Sequence, residues 1–130
     1  MWRVEEARRR WSRKENAAVL FLTGGDDMAG SVFDELLRLR NPLHAGYYLY
    51  SVAGVDAGVI GNHDLDMGTA QLARAIAHDA GFPLLAANLI HDPPFAHPAA
   101  LFVVKGVRVG VIGLTTPAQI KRNGDPLQIV

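Results

Sequence analysis

The stretch DAGVIGNHDLD, residues 56–66, joins a short apolar run to a group of polar side chains. The run 56–60 has the length of a buried strand, and Gly61 then opens a polar turn. A second stretch, AAVLFLTGGDDMAGS at residues 17–31, repeats this order, with Asp26 after a pair of glycines. Since open α/β sheets bind ligands beyond the carboxyl ends of parallel strands, the two stretches predict one polar site at one sheet edge.

Apolar spacing along the rest of the chain predicts alternating helices and strands, which together indicate an α/β fold. The predicted helices cover 3–16, 31–40, 43–53 and 69–80. The predicted strands cover 17–23, 56–60, 84–87 and a hairpin of 101–105 with 107–114. Prolines indicate an irregular loop at 92–98, and the chain from Thr115 onward is predicted to be loop.

The overall composition narrows the function. The 13 basic residues balance the 13 acidic ones, and this argues against general binding to nucleic acid or to an anionic membrane. Since the chain has no cysteine, any metal must be held by carboxylate, amide or imidazole ligands. No apolar run reaches the roughly 18 residues of a membrane span, and no secretory signal pattern is present, so the sequence does not indicate a compartment.

Four sequence motifs occur in an order that a known family shares. They are Gly25-Asp26 with Gly30-Ser31, then Gly61-Asn62-His63-Asp64 after an apolar strand, then Ala87-Asn88, and finally Gly106–Pro117. Together they resemble the calcineurin-like metallophosphoesterases, most closely the branch of 5'-nucleotidases and 2',3'-cyclic-nucleotide phosphodiesterases. The resemblance implies a layered αββα core, of which residues 1–130 would form one partial domain, truncated at both ends and without a second domain.

Phosphoester hydrolysis near neutral pH requires a nucleophile better than bulk water, and two bound divalent metal ions provide one by bridging a hydroxide. The resemblance implies such a pair of ions, and the sequence leaves their identity open among Zn, Mn, Fe, Co and Ca. Within this resemblance Asp26 corresponds to the carboxylate that bridges the metals, and Asn62 to a neutral amide ligand of one metal. The implied substrate is a small phosphoester, in this branch a nucleotide.

The resemblance also implies which residues move protons. His63 corresponds to the imidazole that faces the phosphate and stabilises the transition state or protonates the leaving group. Asp66 corresponds to the carboxylate that orients this histidine, and it ranks above Asp64, which is expected to brace the loop. Gly25 and Gly61 are expected to support the two loops.

Two other parts of the family pattern are missing from this sequence. No Asp-x-His motif precedes position 17 and no Gly-His-x-His motif follows, so Asp26 and Asn62 are the expected metal ligands that remain. Two oxygen ligands do not hold two divalent ions, because each ion takes roughly four to six ligands. We therefore expect the isolated chain to bind metal incompletely, to be inactive as a hydrolase, and to self-associate through an unpaired strand edge.

Other interpretations of the same residues stay open at this point. The chain could be a non-catalytic remnant of the same fold that serves as an interaction module. It could also be a nucleic-acid module that uses the basic helix at Arg8–Arg10, Arg13 and Lys14, although glutamates in this helix favour a solvated face. The aspartates at 26 and 27 and the triplet 62–64 could simply form polar turns.

The remaining histidines and tyrosines are not predicted to take part in the site. No pair of histidines has the spacing of metal ligands on one helix face, which favours surface or loop positions for His44, His78, His91 and His97. The tyrosines are expected to pack a helix, at Tyr47, Tyr48 and Tyr50. Asn88 is predicted to form a turn.

Overall fold

The structure, a computed structural model, describes residues 2–14, 17–27, 43–116 and 127–130. The helices of this part of the chain are α1 (Trp2–Ser12), α2 (Ala45–Ala53) and α3 (Thr69–Asp79), with a short 3₁₀ helix at Asp64–Met67. The strands are β1 (Leu22–Thr23), β2 (Ala57–Val59), β3 (Leu84–Leu85), β4 (Leu89–Ile90), β5 (Ala99–Val104), β6 (Val107–Ile112) and β7 (Gln128–Ile129). The predicted α/β class is confirmed.

A parallel sheet with the strand order β1-β2-β3 brings two polar loops to one edge. Leu22 pairs with Ala57 and Thr23 with Gly58, and β2 pairs in parallel with β3. Because β1 and β2 run in the same direction, the loops that follow Thr23 and Val59 leave the sheet at the same edge. These loops carry the polar residues that the sequence singles out.

The core joins this sheet to helices α2 and α3. Tyr47 of α2, Leu72 of α3 and Leu84 of β3 are at most 1% exposed and belong to one apolar cluster. The ring of Phe82 meets the ring of Tyr47 edge to face, with centroids 6.4 Å apart. Full burial of a leucine side chain contributes about 1.5–3 kcal/mol to stability, so this cluster holds the two helices on the sheet.

The helix ends follow local sequence signals. Helix α2 ends at Ala53 and is capped by Gly54, which has a left-handed φ of 73° that glycine adopts without strain. The predicted bounds of α2 and α3 agree with the structure to within two residues at each end. The predicted helix 3–16 is too long, because α1 ends at Ser12, and the predicted helix 31–40 lies outside the described residues. No helix in the described ranges has the length and apolar character that a membrane span requires.

The first strand is shorter and more exposed than predicted. The sequence predicts a strand over 17–23 that is buried on both faces, but β1 contains only two residues, and Leu22 is 45% exposed. The N–H of Phe21 donates to the Asp56 carboxylate at 2.7 Å and not to a neighbouring strand. In the described sheet β1 pairs on one side only, with β2. A side-chain acceptor and an edge position together explain why the strand is short.

The prediction that the chain from Thr115 onward is loop is wrong at 128–129; positions 115–116 lie in no helix or strand, and 117–126 lie outside the described residues. Strand β7 pairs antiparallel with β4, with Leu89 opposite Ile129. Leu127, just before β7, is 4% exposed and joins the core cluster. Strands of two residues have no alternating run that would identify them in a sequence, so only the tertiary pairing defines them.

The predicted irregular loop at 92–98 is confirmed except at one residue. His97 forms a parallel bridge with Leu85, and its N–H donates to the carbonyl of Leu84 at 2.9 Å. The carbonyl of His97 accepts in turn from the N–H of Ala86 at 2.9 Å. His97 therefore extends the parallel sheet beyond β3.

The hairpin of β5 and β6 leaves an apolar face in contact with solvent. Leu101, Val103 and Ile112 share this face in the pairing register and are 58%, 66% and 70% exposed. Exposed apolar surface of this kind promotes association. We therefore predict that the isolated chain self-associates, and that Val103→Lys raises the monomer fraction measured by light scattering. The control Val107→Lys adds the same charge to the opposite face; a clean monomer of the unaltered chain would contradict the prediction.

Helix α1 is attached to the rest of the fold by Arg8. Its guanidinium donates to the Asp56 carboxylate at 2.5 Å and to the Gly54 carbonyl at 2.7 Å. Arg9 pairs with Glu5 one helical turn away. Two of the arginines invoked for nucleic-acid binding thus have partners within the chain, and that interpretation stays a prediction that a salt-dependent DNA-binding assay would test.

Candidate functional site

The loops after β1 and β2, here called the 24–27 loop and the 61–64 loop, pack backbone against backbone. A Cβ atom added to Gly61 would lie 2.3 Å from the nitrogen of Asp26 and 2.5 Å from its Cα. A Cβ added to Gly25 would lie 2.3 Å from the carbonyl oxygen of Val59, and Gly25 has a φ of +75°. Only glycine permits this approach, which places Asp26 beside the start of the 61–64 loop.

We predict that Gly61→Ala destabilises the fold by about 1–3 kcal/mol or more, because the added methyl group overlaps the backbone of Asp26. Gly24→Ala is the matched control, since no atom lies within 4 Å of the position that its Cβ would take. Urea denaturation of the two variants measures the difference. A midpoint for Gly61→Ala equal to that of the unaltered chain would contradict the close approach of the loops.

The buried carboxylate of Asp64 accepts hydrogen bonds from the backbone of both loops. It is 0% exposed and accepts from the N–H of Gly61 at 2.8 Å and from the N–H groups of Asp26 and Asp27 at 3.2 Å each. A buried carboxylate needs such donors to replace the water that it loses. Asp26 has a positive φ of 67°, a conformation that costs a residue other than glycine about 1–3 kcal/mol. The hydrogen bond from its N–H to Asp64 helps to hold it there.

The side chain of Asp26 contacts the 61–64 loop directly. Its Oδ1 accepts from the backbone N–H of His63 at 3.0 Å. Asn62 lies between Gly61, which touches the Asp26 backbone, and His63, which donates to the Asp26 side chain. The structure therefore brings three of the predicted site residues, a carboxylate, an amide and an imidazole, to the same edge of the sheet.

His63 and Asp66 form a hydrogen-bonded pair at the surface. The Nδ1 atom of His63 lies 3.0 Å from Oδ2 of Asp66, and the two side chains are 54% and 32% exposed. Asp66 lies in the 3₁₀ helix, where residues three apart stand above one another. The residue that contacts the His63 ring is therefore Asp66, while Asp64 faces inward.

Nearby carboxylates affect the protonation of His63, above all those of Asp66 and Asp26. The hydrogen bond to Asp66 raises the pKa of His63 above its usual value, and the negative charge of Asp26 adds to this effect. At neutral pH the ring therefore holds its second proton more readily than a free histidine does. The site thus combines an imidazole of raised pKa with nearby carboxylates.

Asp66→Asn is predicted to lower the pKa of His63, because the substitution removes the stronger of these two effects. The ring in the variant should release its proton at a lower pH than the ring in the unaltered chain. An NMR titration that follows the Cε1 proton of His63 measures this change. Glu6→Gln, an exposed charge removal in α1, serves as the control, and an unchanged pKa in Asp66→Asn would speak against the pairing.

The side chain of Asp27 contacts helix α2, whereas the side chain of Asp26 contacts the 61–64 loop. Oδ1 of Asp27 accepts from the hydroxyl of Tyr50 at 2.9 Å. Burial raises the pKa of Asp27, and the hydrogen bond from Tyr50 acts in the opposite direction. The Tyr50 ring also meets Phe82 edge to face at 6.4 Å. Tyr50 therefore packs as predicted and, in addition, ties the 24–27 loop to α2.

Thr115 and Asn88 hold the start of the 61–64 loop from the hairpin side. The buried hydroxyl of Thr115 donates to the carbonyl of Ile60 at 2.7 Å. Asn88 donates to the carbonyl of Thr115 at 2.8 Å and accepts from its N–H at 2.9 Å. Asn88 lies in a turn as predicted, and its pairing with a residue 27 positions away has no signal in the local sequence.

The prediction that His44 is a surface or loop residue is right about the loop, since His44 directly precedes α2, but wrong about the surface. His44 is 1% exposed, and its Nδ1 accepts from the N–H of Tyr47 at 3.2 Å, which caps α2. Its Nε2 lies 3.4 Å from Oδ1 of Asp64, 20 positions along the chain. Its place directly before a predicted helix indicates a cap, but the contact with Asp64 depends on the tertiary fold. Sequence reasoning missed it for that reason.

The predictions for the other tyrosines and histidines are confirmed in part. Tyr47 is fully buried and packs as predicted, whereas Tyr48 is 47% exposed and packs less than expected. The side chain of His78 is 57% exposed, and His97 is also exposed, which agrees with their predicted surface positions. His91 is half-buried, with its ring against Phe95 at a centroid distance of 5.1 Å.

Comparison of the sequence with known proteins supports the resemblance, although no family model matches the chain. The 5'-nucleotidase of Mus musculus is 32% identical over 111 residues, and the match covers 80% of this chain and 19% of that protein. Protein UshA of Yersinia enterocolitica is 40% identical over 111 residues, with the same coverage of 80% and 19%. The chain thus spans less than a fifth of the length of these curated relatives.

Solved structures agree with the sequence matches. The 5'-nucleotidase precursor from Thermus thermophilus superposes with a TM-score of 0.78 at 30% identity, covering 98% of this chain and 25% of that one. The calcineurin-like phosphoesterase YfkN from Bacillus subtilis superposes with a TM-score of 0.73 at 21% identity, covering 97% and 44%, and shows the fold alone. The chain belongs to the calcineurin-like metallophosphoesterases, in the branch of the 5'-nucleotidases, and corresponds to part of their length.

Proposed function

We propose that the chain supplies part of the active site of a metal-dependent phosphoester hydrolase that acts on nucleotides. The observation that supports this most directly is the hydrogen bond of 3.0 Å from the N–H of His63 to Oδ1 of Asp26. It joins the two loops that the parallel sheet brings to one edge. Metal-dependent phosphoester hydrolysis can use carboxylate and amide oxygens as metal ligands and an imidazole as the group that transfers a proton.

In this proposal Asp26 and Asn62 are metal ligands. The family fold generally holds two divalent ions, and carboxylate and amide oxygens are ligand types that such ions take. The donor types fit, but their number does not, because no group of three His, Asp or Glu side chains in the described ranges could hold an ion. When bound, divalent ions stabilise the negative charge of a phosphate. The proposed contribution of this chain is two of their ligands.

The proposed role of His63 is to carry a proton. Its side chain is 54% exposed and therefore accessible to a substrate. Asp66 engages Nδ1 of the ring at 3.0 Å, which leaves Nε2 for an oxygen of the substrate. As an imidazolium, the ring can donate from Nε2 to the leaving oxygen while the bond to phosphorus breaks. Asp66 offsets the positive charge of the ring.

The substrate class is inferred from the relatives. Proteins named 5'-nucleotidase or probable 5'-nucleotidase occur among the matches from Mus musculus, Treponema pallidum and Thermus thermophilus. The groups at this site act on phosphate, and so they suit both a 5'-monophosphate and a 2',3'-cyclic phosphodiester. Both substrates therefore belong in the assay.

A chimera tests this proposal without requiring the isolated chain to be active. In it, this chain replaces the aligned stretch of the Thermus thermophilus 5'-nucleotidase, which makes up 25% of that chain. We expect the chimera to hydrolyse adenosine 5'-monophosphate with Mn²⁺ and to lose the activity when a chelator removes the metal. A folded chimera that binds Mn²⁺ but hydrolyses neither substrate would contradict the proposal and favour the non-catalytic remnant.

A further inference from the structure

Three buried polar residues form a chain behind the site. They are Asp79, His44 and Asp64, which are 6%, 1% and 0% exposed. The carboxylate of Asp79, at the end of α3, accepts from the N–H of His44 at 2.7 Å. The Nε2 atom of His44 lies 3.4 Å from Oδ1 of Asp64. Because buried polar groups are costly without partners, each link of this chain restricts the next.

The surroundings of His44 fix both its ring and its tautomer. Its Nδ1 accepts from the N–H of Tyr47 at 3.2 Å, so the neutral ring carries its hydrogen on Nε2. The ring stacks on the Tyr47 ring, with centroids 3.6 Å apart and planes 6° apart. His44 therefore presents an N–H donor to Asp64 from a position that it cannot easily leave.

The two carboxylate oxygens of Asp64 have different hydrogen-bond donors. Oδ2 accepts from Gly61 at 2.8 Å and from Asp26 at 3.2 Å, while Oδ1 accepts from Asp27 at 3.2 Å and faces His44. Without His44, Oδ1 would lose its imidazole donor, and the carboxylate could rotate more easily. Rotation would release the amides of both loops from their common acceptor.

We propose that His44 is a positioning residue that acts through Asp64 to hold the 24–27 and 61–64 loops in the arrangement that brings Asp26 against His63. The role deepens the proposed function and rests on it, because the arrangement matters to a reaction only if Asp26 and His63 take part in one. His44 does so from the end of a helix, on the buried side of the loops. It is therefore a positioning residue and not a catalytic one.

Two variants of the whole 130-residue chain separate this role from the capping of α2. His44→Asn keeps an N-cap acceptor for the N–H of Tyr47 but is too short to reach Asp64. His44→Gln keeps an N–H donor on a longer side chain and should restore part of the contact. If His44→Asn does not fold, His44→Ser replaces it, because serine is also a favourable N-cap residue.

Hydrogen exchange followed by NMR provides the readout. In His44→Asn the amides of Asp26, Asp27 and Gly61 should exchange about 10- to 100-fold faster, the effect of losing a hydrogen bond to a charged group. The amide of Leu72 in α3 should change less. His44→Gln should recover part of the protection. In the background of Asp64→Asn, the substitution His44→Asn should have little additional effect at the loop amides.

Equal acceleration at Leu72 and at the loop amides would make the effect of His44 a loss of global stability and would overturn the proposal. Unchanged exchange at the three loop amides would overturn it as well. Additive effects of the substitutions at 44 and 64 would show that His44 does not act through Asp64. Turnover of the chimera is measured separately, so failure of this inference and failure of the proposed function are told apart.

Discussion

Replacement of His63 by alanine in the chimera should lower kcat for nucleotide hydrolysis by about 10²–10⁴-fold, the usual contribution of a general acid–base group. The substitution removes the ring and its pairing with Asp66. It keeps the backbone N–H, which donates to Oδ1 of Asp26 at 3.0 Å. The two loops should therefore stay in contact, and the metal should stay bound. The loss should appear in kcat and not in metal content.

Steady-state kinetics at saturating nucleotide and metal analysis of the purified protein measure these two quantities. His97→Ala is the matched control, because it removes an exposed imidazole from the loop that precedes β5. Its kcat should equal that of the unaltered chimera. Full activity in His63→Ala would remove His63 from the reaction, and a parallel loss of metal would assign it to the metal shell.

Asp26→Asn in the chimera should weaken Mn²⁺ binding by more than about 100-fold, since losing even a group that only supports a metal ligand costs about 10–100-fold. The substitution disturbs the fold little. Asparagine tolerates the φ of 67° at this position, and its Oδ1 can still accept from the N–H of His63. The change that remains is the loss of one negative charge from the proposed metal site.

Asp27→Asn makes the same change one residue away and serves as the control. Its Oδ1 accepts from the hydroxyl of Tyr50 at 2.9 Å, and an amide oxygen can accept the same bond. Isothermal titration with Mn²⁺ measures the affinity of both variants. An affinity of Asp26→Asn equal to that of the unaltered chimera would exclude Asp26 as a metal ligand.

The features that the sequence predicts well depend on short segments. Helices α2 and α3 have periodic apolar residues, and Gly54 and Gly81 follow their ends, so their bounds can be predicted to within two residues. The hairpin of β5 and β6 follows from β-branched runs around Gly106. The two polar loops meet because parallel strands place their carboxyl ends at one edge, a rule that needs no knowledge of distant contacts.

The features that the sequence does not predict depend on residues far apart in the chain. Strands β4 and β7 are too short for a recognisable pattern and exist because they pair with each other. The contact of His44 with Asp64 spans 20 positions, and that of Asn88 with Thr115 spans 27. In the sequence, neither the type nor the spacing of these residues distinguishes them from surface residues. Their importance arises only when the fold buries them.

We propose that Asp26, Asn62 and His63 surround one metal-assisted phosphate site. The most direct test of this claim is a crystal structure of the chimera with Mn²⁺ and phosphate, in which anomalous diffraction locates the metal. We predict Mn²⁺ within about 2.0–2.5 Å of the Asp26 carboxylate and the Asn62 amide oxygen, with Nε2 of His63 at about 2.7–3.2 Å from a phosphate oxygen. Mn²⁺ bound without these two side chains, and a His63 ring turned away from the phosphate, would contradict the claim.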